Sequence, residues 1–546
     1  MNDNSDRRTF LKRGGAAAIG ALAATVRANE PAARSRSRGA KSRRFEEAFR
    51  IRVDAAERQL SKPLPILKTN GDELRYQTRI ASFSKGLRHN ALGEVDPDAY
   101  NALVHALASG EPADYEAIPL GGVVRLVNPQ ASLAFEMEGG DPHGFELPPP
   151  PTFDSSEQAA EACELYWQAL TRDVPFAEYE THPLIDRAAS DLSRFDSLHA
   201  PRENGRITPR TLFRGNSDGD RVGPYVSQFL LKEVPFGAIR LVQHVRTATP
   251  GLDYLTTYDE WLAVQNGAAT APRHGSVYRH IRCGRDLAAY VSLDFSYQAF
   301  QTACLILFGM QGTTDAQRSY KGAPYNARNP YRKSRSQTGF VTFGGAQALD
   351  LVARVSSAAL KAGWYQKWCV HRRLRPEEFA GRVHNHRTGA ANYPIDASLL
   401  DSPVLEMIDA VNRTYLLPQA FPEGCPIHPS YPAGHAVVAG ACATALKACF
   451  DEKFPVHDPV VTTADGLSLM PYREGDLTVG GEIDKLAFNV SMGRNMAGIH
   501  WRSDAAEGMR FGEAVALSVL SDLKECFNED FAGFSLTKFD GTTVEV

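Results

Sequence analysis

Apolar residues recur three and four positions apart along most of the chain, which is the period of an amphipathic α-helix. The pattern is clearest in residues 43–60, 155–170 and 345–374. Long loops rich in proline and glycine separate such segments, for instance residues 136–153 and 310–345. Regular strand alternation does not recur, and short strands are expected only in loops and in the tail at 534–546. The sequence therefore predicts an all-α protein with a few short strands.

The N-terminal residues follow a different pattern. Twin arginines, Arg7 and Arg8, precede a weakly hydrophobic Ala/Gly run, and residues 26–28 resemble a small-residue cleavage site. This arrangement resembles a twin-arginine export signal and predicts a periplasmic or secreted protein. The apolar stretch is too short for a good membrane span, so no stable membrane anchor is expected. A cytosolic helix with a basic start is the alternative.

We accordingly predict a signal peptide at 1–28, a basic flexible linker at 29–44 and one large helical domain at 45–546. With 43% hydrophobic and 23% charged residues, the chain has an ordinary globular composition. A net charge of -4 gives no overall attraction for nucleic acid. The eight cysteines include no CxxC pair, so no zinc or iron–sulfur site is indicated, and disulfide pairing stays open.

The segment GWYQKWCVHRRLRPEEF (363–379) is a candidate anion-binding wall. At 100° per residue, Trp364, Lys367, His371 and Arg375 fall within an arc of about 80° on one helix face. Pro376 favours the end of that helix. A solvated basic helix end, stabilised by the helix dipole, is the alternative.

The segment HPSYPAGHAVVAG (428–440) is a turn that leads into a helix of small residues. The helix is expected to begin near Gly434 and His435, so that its free backbone N–H groups and positive dipole end face the turn. An oxyanion is the natural ligand for such a position. A buried His435 bonded to a backbone carbonyl is the alternative.

The third segment begins at Asp484 and carries Arg494 and His500. On an unbroken helix these two residues would point about 120° apart, and they converge only if the chain breaks at Gly498. Asp504, followed three residues later by Glu507, predicts a capping box, which gives Asp504 a structural role as N-cap. His500 is then expected in a short bend between two helices.

The order of these motifs, Lys-x7-Arg-Pro, Pro-x-Gly-His and Arg-x5-His-x3-Asp, resembles the vanadium-dependent haloperoxidases. That family shares its anion pocket with type 2 phosphatidic acid phosphatases and bacterial acid phosphatases. Segments 214–231, 329–345 and 370–383 are similar to bromoperoxidase sequences and extend the resemblance over most of the chain. The resemblance implies two four-helix bundles, with the anion-pocket core at about 345–525. It also implies vanadate, with V5+, as the cofactor.

The resemblance assigns roles to individual residues. His500 matches the axial vanadium ligand, and its second nitrogen is expected to donate to a backbone carbonyl rather than to Asp504. Vanadate oxygens match four donors: Lys367, Arg375, Arg494 and the backbone N–H of Gly434. Of the catalytic residues, His435 matches the acid–base histidine and Lys367 matches the group that polarises peroxide. His428 matches a second pocket histidine that bromide-oxidising members carry. Trp364 matches a pocket tryptophan.

The implied reaction uses hydrogen peroxide to oxidise bromide or iodide to hypohalous acid, which halogenates small organic acceptors. A homo-oligomer, dimer or larger, is expected by analogy with the family. Many members have serine where this chain has Ala433. Loss of that hydroxyl removes one charge-assisted hydrogen bond, about 1.5–3 kcal/mol.

Two other functions stay open. A vanadium-free acid phosphatase, acting on phosphomonoesters or lipid phosphates, would use His500 as nucleophile on the same pocket. An exported anion-binding or scaffold protein with a decayed site is the third interpretation, and Ala433 is the residue that favours it.

Overall fold

The computed structural model describes residues 38–271, 275, 277–309 and 322–546. The predicted signal peptide at 1–28 lies outside these ranges, as do residues 29–37 of the predicted linker and residues 310–321 of the predicted loop.

Helices dominate the described chain, and the all-α prediction is confirmed. The α-helices are α1 Arg38–Ser61, α2 Asp72–Arg75, α3 Pro97–Ser109, α4 Pro112–Glu116, α5 Ser156–Thr171, α6 Pro183–Leu192, α7 Asp218–Arg221, α8 Tyr258–Gln265, α9 Gly284–Leu293, α10 Gln298–Gly309, α11 Gly345–Tyr365, α12 Pro376–Arg387, α13 Ala397–Leu400, α14 Pro403–Asn412, α15 Gly434–Cys449, α16 Val479–Met496 and α17 Arg502–Leu523. A π-helix occupies Gln366–His371, and 3₁₀ helices occupy Pro129–Leu133, Pro142–Gly144, Phe176–Glu178, Gln228–Leu230, Pro330–Lys333 and Lys524–Cys526.

The strands are short and pair as antiparallel hairpins or ribbons. They are β1 Val234–Phe236, β2 Ile239–Leu241, β3 Val245–Arg246, β4 Tyr278–Arg279, β5 Val460–Thr462, β6 Leu469–Pro471, β7 Ser535–Thr537 and β8 Thr543–Glu545. Each odd-numbered strand pairs with the next strand along the chain. The last pair lies in the tail, where the sequence predicted short strands.

Residues Lys62–Val546 form one compact unit, and α1 belongs to a separate unit. The predicted flexible linker differs from the structure at its C-terminal end, because residues 38–44 are the first turns of α1. Alanine, lysine, arginine and glutamate are good helix formers, and they dominate the run that opens α1.

A four-helix bundle of α11, α15, α16 and α17 forms the centre of the compact unit, with α15 in contact with the other three helices. Glycine permits this close packing. A Cβ at Gly440 would lie 1.9 Å from the Met509 carbonyl oxygen of α17, and one at Gly512 would lie 2.0 Å from the Val437 carbonyl oxygen of α15. A second group of helices gathers around α5, which contacts α6, α13 and α14.

Two further features bear on the sequence predictions. Within the described ranges, none of the helices has both the length and the apolar character needed to cross a membrane. Cys442 is a buried core residue with a free thiol, and Cys449 is half-buried.

Candidate active site

The turn at Ala433 ends where α15 begins, as the sequence predicted. Ala433 is the N-cap, and its methyl group is fully buried and makes no capping hydrogen bond. The N–H groups of the first turn have no acceptor within the helix and point out of its N-terminus. A Cβ at Gly434 would lie 3.3 Å from Cζ3 of Trp364, so glycine lets the indole approach the turn.

Lys367 and Arg375 lie on different elements, so the prediction of one continuous helix face is wrong. The helix α11 ends at Tyr365, and Lys367 lies in the π-helix that follows. Arg372 then adopts a left-handed conformation with φ of 37°, and Arg375 is the N-cap of α12. Pro376 accounts for the extended conformation of Arg375, because the helical conformation is disfavoured for the residue before a proline. The break itself lies three residues earlier, at Arg372.

The ammonium group of Lys367 is completely buried beside the 428–435 turn. Its Nζ donates to the carbonyl oxygens of Pro429 and Ser430, each at 2.8 Å. Two of its three donors are therefore used within the protein, and the third is available to a ligand.

Arg375 joins two histidines at the floor of the site and is fully buried. Its Nη1 lies 2.9 Å from Nε2 of His500, and its Nη2 lies 3.0 Å from Nδ1 of His428. Further hydrogen bonds reach the carbonyl oxygens of His428 and Ile499, at 2.9 and 2.8 Å. The guanidinium therefore fixes the relative position of both rings.

Arg494 lies near the end of α16 and donates from Nη1 to the Val291 carbonyl oxygen at 2.8 Å. Its Nε is buried and has no hydrogen-bond partner among the described residues. A buried cationic donor without a partner is costly unless an acceptor binds there. Arg494 therefore keeps a buried donor that a bound anion could satisfy.

His500 lies in the bend between α16 and α17, and the predicted break at Gly498 is confirmed. The helix α16 ends at Met496, and Gly498 has φ of 87°. The expected partner of His500 is wrong: Nδ1 bonds the Asp504 carboxylate, with Nδ1 and Oδ2 2.7 Å apart. A guanidinium only donates, so Nε2 accepts from Arg375 and the proton of neutral His500 lies on Nδ1.

Asp504 also differs from its predicted N-cap role. The N-cap of α17 is Trp501, and Asp504 is the third helical residue, whose carboxylate accepts from the Trp501 N–H at 3.1 Å. The capping box is thus formed by Trp501 and Asp504 rather than by Asp504 and Glu507. The same carboxylate reaches His500, so Asp504 contacts the site directly.

His435 pairs with a residue that the sequence interpretation missed. Its Nε2 lies 3.0 Å from Oδ1 of Asp294, the residue that ends α9. The His435 side chain is 25% exposed, while Asp294 is only 4% exposed. Asp294 lies 141 residues before His435 and belongs to none of the motifs, so only the packing of α9 on α16 brings it here.

His428 and Trp364 lie together beside this cluster, with ring centroids 5.0 Å apart. The Lys367 Nζ lies 5.9 Å from the Trp364 ring. His371 does not join them, because its ring packs edge-on against Tyr431 at 5.0 Å. Both of its ring nitrogens are buried, and neither has a hydrogen-bond partner within the described part of the chain.

Burial and nearby positive charges lower the pKa values of His500, Lys367 and Arg494. Desolvation, followed by the charges of Arg375, Lys367 and Arg494, holds the pKa of His500 well below its ordinary value. Burial and the neighbouring Arg375 likewise depress the pKa of Lys367, and burial lowers the pKa of Arg494 to about 10. His500 is therefore a neutral ring facing three basic side chains.

The donor set fits a tetrahedral or trigonal-bipyramidal oxyanion. Arg375 contacts the Nε2 lone pair of His500, and the charges of Lys367 and Arg494 lie close enough to lower the pKa of that ring. The nearest carboxylates are already paired. Asp504 bonds Arg373 at 2.9 Å, and Asp294 bonds His435. An oxyanion would satisfy the free Nε of Arg494 and offset the unbalanced positive charge. Vanadate and phosphate both meet this description.

Three further residues of the site were not predicted from the sequence. They are Asp294, Ser430 and Arg373. Ser430 lies inside the turn motif, and its hydroxyl donates to Asp504 Oδ2. Arg373 lies between two predicted residues, in a run of four basic residues within five positions, where sequence alone does not say which basic side chain points inward.

Comparisons with known proteins agree over nearly the whole chain. Residues 351–529 match a family model described as the VCPO second helical-bundle domain. The vanadium-dependent bromoperoxidase of Corallina officinalis is 34% identical over 600 aligned positions, which cover 92% of this chain and 98% of the relative. That of Ascophyllum nodosum is 36% identical over 531 positions, covering 92% of each chain.

The structure is also similar to a solved one. It superposes on the homohexameric second vanadate-dependent bromoperoxidase from Ascophyllum nodosum with a TM-score of 0.86, at 29% identity. The match covers 92% of this chain and 90% of that one.

Proposed function

The chain belongs to the vanadium-dependent bromoperoxidase family, and from this premise we propose that it uses vanadate and hydrogen peroxide to oxidise bromide or iodide. The product is hypohalous acid or its equivalent, which halogenates small organic acceptors. The observation that carries the proposal is His500, a buried neutral histidine whose Nε2 faces Arg375 and whose Nδ1 proton is held by Asp504.

Vanadate would be held by the residues that surround His500. His500 Nε2 would be the covalent ligand, because a neutral imidazole nitrogen with a fixed lone pair is a good metal ligand. Lys367, Arg375 and Arg494 would neutralise the oxyanion, and the Gly434 N–H would add a backbone donor. When bound, the metal supplies Lewis-acid activation of peroxide toward halide.

The protein's own contribution to the chemistry is proton handling. His435 is one-quarter exposed and its Nε2 bonds Asp294, which leaves Nδ1 to exchange the proton of hydrogen peroxide. The Asp294 carboxylate orients the ring and stabilises it when it is protonated. Lys367 places a positive charge where negative charge develops on oxygen.

Halide reactivity is assigned to the side of the pocket formed by His428 and Trp364. The two rings lie 5.0 Å apart, and Arg375 fixes His428 from behind. The Arg375 guanidinium beside these rings supplies the positive charge that would attract a halide, since an aromatic ring is positive only at its edge.

A phosphatase on the same pocket is the second candidate, because the donor set also suits phosphate. The relatives that match over most of the chain are bromoperoxidases, and this favours the peroxidase. The test is to strip the purified protein of metal and assay bromide and iodide oxidation with peroxide, with and without orthovanadate, beside phosphomonoester hydrolysis.

We expect halide oxidation only with added vanadate, and its loss in His500→Ala. Vanadate-independent hydrolysis without halide oxidation would show that the protein is a phosphatase. If His500→Ala leaves either activity intact, the pocket itself has been assigned incorrectly.

We also propose that the protein assembles as a homo-oligomer, as the solved relative from Ascophyllum nodosum does. The helix α1 supports this, because three large apolar residues on one of its faces are solvent-exposed: Phe45 at 74%, Phe49 at 56% and Leu60 at 87%. Light scattering on the purified protein measures the mass directly. A monomer at micromolar concentration would contradict the proposal.

Export through the twin-arginine route is our proposal for localisation, and it is supported by the pattern at Arg7 and Arg8. Cell fractionation of the full chain beside an Arg7→Lys/Arg8→Lys variant tests it. We expect the native chain in the periplasm or medium and the variant in the cytoplasm. Equal distribution of both would contradict export by this route.

A further inference from the structure

Arg373 lies behind His500, outside the anion pocket, and no motif assigns it a role. It is 3% exposed, and its guanidinium lies between two buried carboxylates. Nη1 donates to Asp504 Oδ1 at 2.9 Å, and Nη2 donates to Glu161 Oε2 at 3.1 Å. Nη2 also bonds the Gln158 side chain at 2.7 Å.

The faces of the guanidinium are covered as well. Its central carbon lies 5.0 Å from the Trp501 ring and 5.9 Å from the Tyr431 ring. Nη1 makes a further hydrogen bond to the Ser503 hydroxyl at 2.8 Å. A planar cation held at both terminal amino groups and on its faces has little freedom to move, and a lysine could not make the same set of contacts.

Both carboxylate oxygens of Asp504 accept hydrogen bonds, and these bonds connect Arg373 to His500 in the pocket. Oδ1 accepts from Arg373, while Oδ2 accepts from the His500 Nδ1–H at 2.7 Å. The Trp501 N–H and the Ser430 hydroxyl also donate to Oδ2. The carboxylate plane is thereby fixed, and with it the orientation of the His500 ring.

We propose that Arg373 is a positioning residue for the oxyanion ligand His500, acting through Asp504, with Glu161 holding the outer end of the guanidinium. Without Arg373, the Oδ1 side of Asp504 loses its charged donor and the carboxylate can turn about its Cβ–Cγ bond. His500 then loses the fixed acceptor that keeps its proton on Nδ1 and its lone pair on Nε2. The inference rests on the proposed role of His500 as ligand.

The test compares Arg373→Lys with Arg372→Lys. Arg372 is the neighbouring residue and makes a two-pronged ion pair with Glu73, with its Nε 3.0 Å and its Nη2 2.7 Å from Glu73 Oε2. Arg372→Lys therefore serves as a control, because it also replaces an arginine that is ion-paired with a carboxylate by lysine. The first measurement is calorimetric titration of the metal-free protein with orthovanadate and, separately, with orthophosphate.

We expect Arg373→Lys to raise the dissociation constant at least tenfold for both anions and Arg372→Lys to change it less than twofold. Saturating orthovanadate should restore halide turnover of Arg373→Lys to within threefold of the native rate, since the change acts on affinity. An unchanged dissociation constant in Arg373→Lys would overturn the inference.

The second measurement is independent of turnover. Nitrogen-15 NMR of metal-free protein labelled at histidine should show His500, identified by its loss in His500→Ala, protonated at Nδ1. In Arg373→Lys we expect a mixture of Nδ1–H and Nε2–H forms. A His500 signal identical to that of the native protein would count against the inference.

If Arg373→Lys does not fold, Glu161→Gln decides the matter. This change keeps an oxygen acceptor for Arg373 but removes the negative charge of Glu161. We expect the dissociation constant for each anion to rise two- to fivefold. No change would overturn the inference. The orthophosphate titration and the NMR remain readable if the protein proves to be a phosphatase, so failure of the proposed function and failure of this inference are distinguishable.

Discussion

The two histidines that face the anion pocket are held in different ways. His500 is 1% exposed, and its partner Asp504 receives donors from several residues and is completely buried. His435 is 25% exposed at its side chain and has one carboxylate partner, Asp294. A metal ligand benefits from a fixed orientation and a constant protonation state. A proton carrier needs access to solvent and freedom to change protonation state.

The comparison therefore separates binding from turnover in one pocket. Burial and three nearby cations keep His500 neutral, because they lower its pKa well below the ordinary value. The partial exposure of His435 allows its proton to be replaced from water. Changes on the His500 side should alter anion affinity, and changes on the His435 side should alter rate.

The largest effect is expected from a pair of alanine substitutions. His500→Ala should abolish orthovanadate binding and halide oxidation, because it removes the covalent ligand. His435→Ala should lower turnover by about 10²- to 10⁴-fold while orthovanadate still binds. Calorimetry measures orthovanadate binding, and halide oxidation at saturating vanadate measures turnover. Loss of anion binding in both variants would contradict the division of roles.

A tenfold to hundredfold loss of turnover is expected for Asp294→Asn. The amide can still accept a hydrogen bond from His435, but it no longer stabilises the protonated ring. The dissociation constant for orthovanadate should change less than threefold, because Asp294 lies outside the donor set. The same substitution at Asp186, an exposed residue in the first turn of α6 and outside the three motifs, serves as control.

A gain of about tenfold in orthovanadate affinity is expected for Ala433→Ser. The new hydroxyl lies at the N-cap of α15 and supplies one charge-assisted hydrogen bond, about 1.5 kcal/mol after the cost of fitting it. Residue 433 precedes His435 and also contacts the His500 side of the pocket, because the Ala433 N–H donates to the Asp504 carbonyl oxygen at 3.0 Å. Weaker binding would mean that the buried site cannot accept the oxygen.

The last prediction concerns stability, rather than binding or turnover, behind the His500 side. Burial, with the charges of Arg372 and Arg373, lowers the pKa of His371 to about 3. Between that value and the unfolded value of about 6.5, the unfolded chain binds a proton that the folded chain does not. Stability therefore falls as the pH falls through this range, by up to about 1.4 kcal/mol per pH unit for this residue.

His371→Phe should remove that part of the slope, as measured by urea unfolding at pH 4 to 7. His105→Gln is the control, because the His105 side chain is 71% exposed. An unchanged slope in His371→Phe would show that His371 does not resist protonation in the folded state.

The sequence predicted the helical class and the start of α15 because both depend on local pattern. Periodicity marks a helix, and the Pro-Ala-Gly-His turn marks where one begins. It also predicted the break at Gly498, since Arg494 and His500 could not otherwise converge. These predictions required no knowledge of distant residues.

Other predictions failed where the outcome depended on competition between local rules or on tertiary contact. The helical face drawn through Trp364, Lys367 and Arg375 ignored the π-helix and the left-handed Arg372. Asp504 was assigned to capping, and it does accept from Trp501, but its carboxylate also serves His500. Asp294 had no local signal, because its role arises only when α9 packs on α16.

The burial of the cysteines has a consequence for an enzyme that is proposed to release an oxidant. Cys163, Cys283, Cys304, Cys425 and Cys442 are buried free thiols. Buried structural cysteines are chemically inert. Hypohalous acid in solution would therefore reach few of the protein's own thiols.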